Sequence, residues 1–204
     1  MVYKICNFTV YWIMSKVLYI KNMVCPRCIE TVQQVVSDKG FKIKSIKLGE
    51  VEIDKEPSSE QMEELSYALK NRGFELLVDK KSRIVQQIKS EIVRLVHHND
   101  NEILQVNLSD HIAKLIGADY SFLSNLFSAE EGITIEKYTI LQKIEKVKEL
   151  LSYGELTASE IAFKLGYSSA AHLSSQFKKE TGMTTGQYKN LKDKKRRPLD
   201  QVGN

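Results

Sequence analysis

The chain has 204 residues, of which 42% are hydrophobic and 27% charged, and a formal net charge of +4. That is the composition of ordinary globular protein, with room for two small domains, and it excludes a low-complexity, collagenous or disulfide-stapled chain. The net charge says little about a polyanionic partner, but its distribution says more. From Lys164 to Arg197, nine basic residues (Lys164, Lys178, Lys179, Lys189, Lys192, Lys194, Lys195, Arg196, Arg197) face only Glu180 and Asp193, whereas residues 81–163 carry an acidic excess. A stretch of this kind either attracts nucleic acid or is simply a solvated face.

At the N-terminus, Ile5 to Met14 is apolar apart from Asn7 and Thr9. The run is too short to span a bilayer, and no small-x-small cleavage site follows it. Met14 therefore reads as the natural start, residues 1–13 as an upstream extension, and residues 1–16 as lying outside the folded domains. A cytoplasmic protein without a membrane partner is expected. Three cysteines are present: Cys6 alone, and Cys25 with Cys28 as a Cys-x-x-Cys pair. Three is a poor number for a disulfide framework, and the spacing suits metal or redox chemistry in a reducing compartment.

In chain order, Val17 to Ile20 reads as a strand ending at Lys21-Asn22. Pro26 then opens a helix, where proline is tolerated, and Cys28, Ile29, Val32, Val35 and Val36 hold helical spacing up to Gly40. Ile43 to Leu48 alternates, Gly49-Glu50 turns, and Val51 to Ile53 alternates again, which predicts a hairpin. Ser58 or Ser59 caps a helix carrying Met62, Leu65 and Leu69, ended by Gly73. Phe74 to Val78 is a last strand. The β-α-β-β-α-β order over residues 17–79 is the split βαβ arrangement of ferredoxin-like domains. Polar Asp79 to Ser82 predicts the domain boundary, and everything beyond it reads as helix. The fold class is thus an α+β ferredoxin-like domain followed by an all-α domain.

The most specific signal is an internal repeat. Ile112-Ala113 and Gly117 recur as Ile161-Ala162 and Gly166, each 49 positions on. Leu123-Ser124, Phe127, Gly132, Thr134 and Tyr138 recur as Leu173-Ser174, Phe177, Gly182, Thr184 and Tyr188, each 50 positions on. The change of offset places one extra residue just after the repeated glycine, in a turn. In each copy the glycine ends one helix, Leu and Phe four apart bury the inner face of the next, and Gly-x-Thr closes that helix and caps a third. Two helices joined this way form a helix-turn-helix, or else a repeated helical hairpin with no nucleic acid. Between the copies, Ile140, Leu141, Ile144, Val147, Leu150 and Leu151 predict one long helix tying the units together.

The stretch Glu160 to Thr184, followed by Tyr188, resembles the C-terminal signature of AraC-type transcriptional regulators, and Ile144 to Leu151 resembles that family's linker helix. The resemblance covers about residues 84–191. It implies a seven-helix DNA-binding domain (residues 82–191) that binds double-stranded DNA with two recognition helices. Positions matching the reading face are Ser121, Ser124 and Asn125 in the first unit. In the second they are Ala171, His172, Ser174, Ser175 and Gln176, with Ser169 at the helix start and Lys178 and Lys179 toward phosphate. The family often has arginine where Asn125 and Ser175 stand, which removes the bidentate guanine contact. Ser128-Ala129-Glu130-Glu131 stands where a basic pair would meet phosphate. The second unit is therefore expected to dominate affinity, aided by a basic flexible tail at residues 192–204.

Met23-Val24-Cys25-Pro26-Arg27-Cys28, set between the first strand and first helix, looks like the heavy-metal-associated domain of copper chaperones. That likeness implies Cys25 and Cys28 as ligands of Cu(I), with Zn(II) less favoured, and a copper-handling protein or second chain sharing the metal. Met23 is expected to pack beneath the loop, and Asn22 stands where glycine is usual. Thiols at a helix N-terminus are expected to have lowered pKa values. A metal-free, redox-active or vestigial cysteine pair remains the competing reading. A thiol oxidoreductase fits poorly, since neither a thioredoxin-like element order nor a candidate base is present; an enzyme is not expected.

Overall fold

A computed structural model describes residues 16–98, 107–191 and 194–203. Cys6 and the expected start at Met14 lie outside the described residues. The N-terminal part runs β1 (Lys16–Lys21), α1 (Pro26–Asp38), β2 (Ile43–Lys47), β3 (Glu50–Ile53), α2 (Ser59–Lys70) and β4 (Glu75–Leu77). The strands form one sheet of order β2-β3-β1-β4, and every neighbouring pair is antiparallel. The expected hairpin turns at Gly49, and Ser58 caps α2 in a reciprocal box with Gln61.

Alternation along β1 decides what each face of the sheet touches. Leu18 and Ile20 point into a core with Met23, Val32, Val36, Val51, Ile53, Leu65 and Leu69, all at most 2% exposed. Tyr19, on the opposite face, meets the next helix, α3 (Lys80–His97): the Arg83 guanidinium lies 5.7 Å from its ring centroid. Gln87 on α3 also donates to Glu50 Oε1 at 3.0 Å. The two halves are therefore packed together. The polar run expected as a boundary is itself the start of α3, because the Asp79 carboxylate accepts from Ser82 N at 2.8 Å as its cap. Gly49 shows how close the contact is, since a Cβ there would overlap Ser90 Oγ of α3.

Beyond α3 come α4 (Leu108–Ile116), α5 (Tyr120–Glu131), α6 (Ile135–Tyr153), α7 (Ala158–Lys164), α8 (Ala170–Thr181) and α9 (Thr185–Lys189), which with α3 make seven helices among the described residues. They build two apolar clusters. Val85, Ile88, Ile92 and Val96 of α3 pack with Ile112, Leu123, Phe127, Ile135 and Tyr138. Ile144, Val147 and Leu151 pack with Ile161, Leu165, Leu173, Phe177 and Tyr188. The long helix α6 supplies its first turns to one cluster and its remainder to the other, which is how it ties the units.

Of the basic flexible tail expected at residues 192–204, residues 194–203 are described. Residues 194–203 lie along α6: Arg196 pairs with Glu149 at 2.6 Å, Arg197 N donates to Glu145 at 3.0 Å, and Val202 is 2% exposed. The acids of α6 hold these basic residues, and an apolar anchor finishes the seam. Among the described residues, no helix is long and apolar enough to cross a membrane.

Candidate nucleic-acid interface

Each repeated residue has a physical task. Gly117 and Gly166 take φ of 72° and 67°, left-handed values open to glycine without steric cost, and so turn the chain between the paired helices. Leu123, Phe127, Leu173 and Phe177 are fully buried. The two phenyl rings meet Tyr138 and Tyr188 edge-on, at centroid distances of 5.7 and 5.5 Å. Thr134 Oγ1 accepts from Lys137 N to cap α6, and Thr184 Oγ1 accepts from Gln187 N to cap α9. The repeated residues thus bury and cap, which leaves the outward faces of α5 and α8 to chemistry.

On α5, Ser121 and Asn125 are exposed and Ser124 is half-buried. On α8, Ala171, His172, Ser175, Lys178 and Lys179 are exposed, with Ser174 and Gln176 half-buried. The exposed residues lie off the Leu-Phe stripe, as 3.6-residue periodicity requires. Ser169 is committed to the fold: its Oγ accepts from His172 N at 3.1 Å as the cap of α8. The His172 ring is also held, with Nδ1 3.0 Å from Ser168 Oγ and its edge against Tyr167.

The charges sort differently. Lys178 and Lys179 stand exposed in the last turn of α8. In the first unit, Glu131 is drawn inward to Lys89 of α3 at 2.7 Å, with side chains 16% and 11% exposed. Only Glu130 of that acidic pair is left in the open. Glu180 is likewise turned to Lys137 of α6 at 2.6 Å. Phe122, 54% exposed on α5, is the positional counterpart of His172 and belongs to no motif of the sequence. Its position off the Leu123–Phe127 stripe was the available signal.

The cysteine loop forms a second feature. Asn22 takes φ of 73° and donates from Nδ2 to Gly73 O, so an asparagine meets the turn where glycine is usual. Met23 is fully buried beneath the loop, as expected. Cys25 stands at the N-cap position of α1 without a side-chain capping bond, and its Sγ lies 3.2 Å from that of Cys28, both partly exposed. Against expectation, burial pushes the Cys28 thiol pKa up, and the adjoining Cys25 side chain adds to this. Partial desolvation of the second cysteine outweighs the helix start. Among the described residues, no group of three or more His, Cys, Asp or Glu side chains is placed to hold a metal.

The loop also touches the helical half. His98 Nε2, at the end of α3, lies 2.8 Å from Val24 O, and the adjacent His97 reaches α6 through Nε2 and Gln142 Oε1 at 2.9 Å. Burial lowers the His97 pKa to about 4, and its Nδ1 has no hydrogen-bond partner. Neither histidine belongs to a sequence motif that would assign it a role.

Residues 112–191 match the family model described as a helix-turn-helix domain. The chain is 29% identical over 128 residues to the uncharacterized HTH-type transcriptional regulator YtdP of Bacillus subtilis (strain 168), covering 61% of this chain and 16% of that protein. It is 27% identical over 116 residues to the melibiose operon regulatory protein of Escherichia coli (strain K12), covering 56% of this chain and 37% of that one. A solved structure, the C-terminal domain of AraT, a response regulator from Geobacillus stearothermophilus, covers 54% of this chain and 87% of its own at 28% identity, with a TM-score of 0.44. The chain thus spans well under half the length of the two curated relatives. Residues 112–191 are thus similar to the helix-turn-helix domains of transcriptional regulators.

Proposed function

We propose that this chain is a sequence-specific, double-stranded-DNA-binding regulator of transcription in which the second unit supplies most of the grip. One observation carries this reading: two reading helices of the same build are mounted on a shared helix, and one of them ends in exposed Lys178 and Lys179. Cations there meet phosphates, while neighbouring polar side chains reach base edges. Each phosphate neutralised adds about 0.9 to the slope of log affinity against log salt. Lys178→Ala with Lys179→Ala should therefore flatten that slope by about 1.8 for the full chain on duplex DNA. An unchanged slope rejects phosphate contacts at these lysines, and a wild-type chain without salt-dependent DNA affinity rejects the regulator reading.

A second reading is that the N-terminal domain makes this regulator responsive to a soft metal. The strand order β2-β3-β1-β4 with two helices supports a ferredoxin-like, heavy-metal-associated domain over residues 17–79. The thiols of Cys25 and Cys28, neighbours in one loop, offer soft sulfur that suits Cu(I) and fall short of zinc's usual four ligands. Bound there, the metal would supply soft Lewis acidity only, with Cys25 and Cys28 holding it and a second chain or copper-handling partner completing the set. Contact between the loop and α3 at His98 supports coupling to DNA binding. Operator affinity measured with and without one equivalent of Cu(I), for wild type and Cys25→Ser/Cys28→Ser, should differ only for loaded wild type. Equal affinities in all four cases would leave a DNA-tethered metal module or a vestigial pair, since a ligand without differential affinity shifts nothing.

A further inference from the structure

The outward faces of α5 and α8 differ most at Phe122 and His172, which occupy equivalent positions. In the second unit, the turn before α8 contains Tyr167 and Ser168, and both hold the His172 ring back against the protein. The first unit has one residue fewer in that turn, with only Ala118 and the cap Asp119 between Gly117 and the helix. Among the described residues no ring is stacked against Phe122, and its ring stands 54% exposed.

Besides Phe122, α5 exposes Ser121, Asn125, Ala129 and, in its last turn, Glu130, and it contains no lysine or arginine at all. One exposed phenyl on a helix whose other exposed residues are small or polar is a poor protein-docking patch, which needs a contiguous apolar area. It is well suited to a base edge. The 5-methyl of thymine is the apolar feature of the major groove, and an asparagine amide matches adenine at N6 and N7. Phe122 and Asn125 are three apart, which places them about 5–6 Å from one another on the helix surface. Stacked base pairs are about 3.4 Å apart, so the two side chains reach one pair or adjacent pairs.

We propose that the first unit is a reader of A·T base pairs, with Phe122 against a thymine methyl and Asn125 on an adjacent adenine. The division of labour follows: the first unit contributes sequence discrimination with little charge, while the second holds phosphate. This rests on the regulator reading above and names what its weaker-charged unit recognises.

The test uses the full chain and a duplex selected from a random-sequence pool. Each thymine is replaced singly by deoxyuridine, which deletes only the methyl group, and each adenine by 7-deazaadenine, which deletes only N7. Wild type should lose about fourfold in affinity at one or two thymines, the worth of one buried methyl. Phe122→Ala should be indifferent to those replacements, Phe122→Leu should stay sensitive, and Asn125→Ala should be indifferent at a neighbouring adenine. Because Phe122 is exposed, an unchanged thermal melt certifies the fold of its variants. Salt-dependent binding with no methyl-sensitive position, or with sensitivity that survives Phe122→Ala, overturns this proposal and leaves the regulator reading standing. Unchanged affinity for every duplex but altered self-association in Phe122→Ala also overturns it, in favour of a protein contact. Absence of duplex binding by wild type removes the parent reading itself.

Discussion

The last turn of α8 carries Lys178 and Lys179 into solvent, where the corresponding residues of α5 are Ser128 and Ala129. Beneath those faces the units are nearly alike: the same leucine and phenylalanine fully buried, the same tyrosine edge against the phenyl ring, the same threonine cap. The contrast separates two kinds of constraint. Interior residues are held in place by packing, where one missing methylene is felt, while a solvent-facing position is free to change its chemistry. Even the acids of the first unit divide along this line, because Glu131 serves the packing through Lys89 and only Glu130 colours the surface.

The largest effect should come from breaking the common interior. Phe127→Ala and Phe177→Ala should each cost about 3–5 kcal/mol in denaturant unfolding. A large loss in one and a negligible loss in the other would show that the skeletons are not equivalent. Acid should separate the units next. Burial keeps His97 neutral, with a pKa near 4 against 6.5 in an open chain, so unfolding takes up a proton as pH falls. The stability involved is whole above about pH 6.5 and is lost progressively down to about pH 4, amounting to roughly 3 kcal/mol. His97 joins α3 to Gln142 of α6, whereas the histidine of the second unit, His172, is exposed. Amides of α4 and α5 should therefore lose exchange protection before those of α7 and α8, and His97→Met should abolish the difference. The smallest effect is a gain. Ser128→Lys with Ala129→Lys gives the first unit the charge of the second, and should steepen the salt slope of DNA binding by about 1.8 without changing the unfolding midpoint. A flat response there would mean that α5 does not approach the phosphates.

The repeat was legible because burial and capping leave a periodic imprint on sequence: Leu173 and Phe177 announce an inner face, Gly-x-Thr a stop and a cap. The sheet was legible for the same reason, from alternation in β1 and in the hairpin. What escaped was set partly by local capping and partly by tertiary contact. Asp79 to Ser82 is as polar as a linker, yet capping makes it the first turn of α3. Arg196 and Arg197 look free until Glu145 and Glu149 are brought beside them by the course of α6. Ser169 has the residue type of a reader and the geometry of a cap. The direction of the Cys28 shift depends on burial, which spacing does not encode. His98 meets Val24 across 74 residues of chain, a contact that no local pattern announces.

Gly49 has a bearing on how such proteins are assembled from parts. The turn it forms fits against Ser90 with no room for a β-carbon, so the sheet is seated on α3 by shape as well as by charge. A sheet domain of this kind exchanged onto another helical domain would have to bring both halves of that seat. In a chimera carrying the sheet alone, a bulkier partner at the position of Ser90 would lift it from α3, and with it the cysteine loop from His98. Such a pair of modules would be inherited, and engineered, as a matched set.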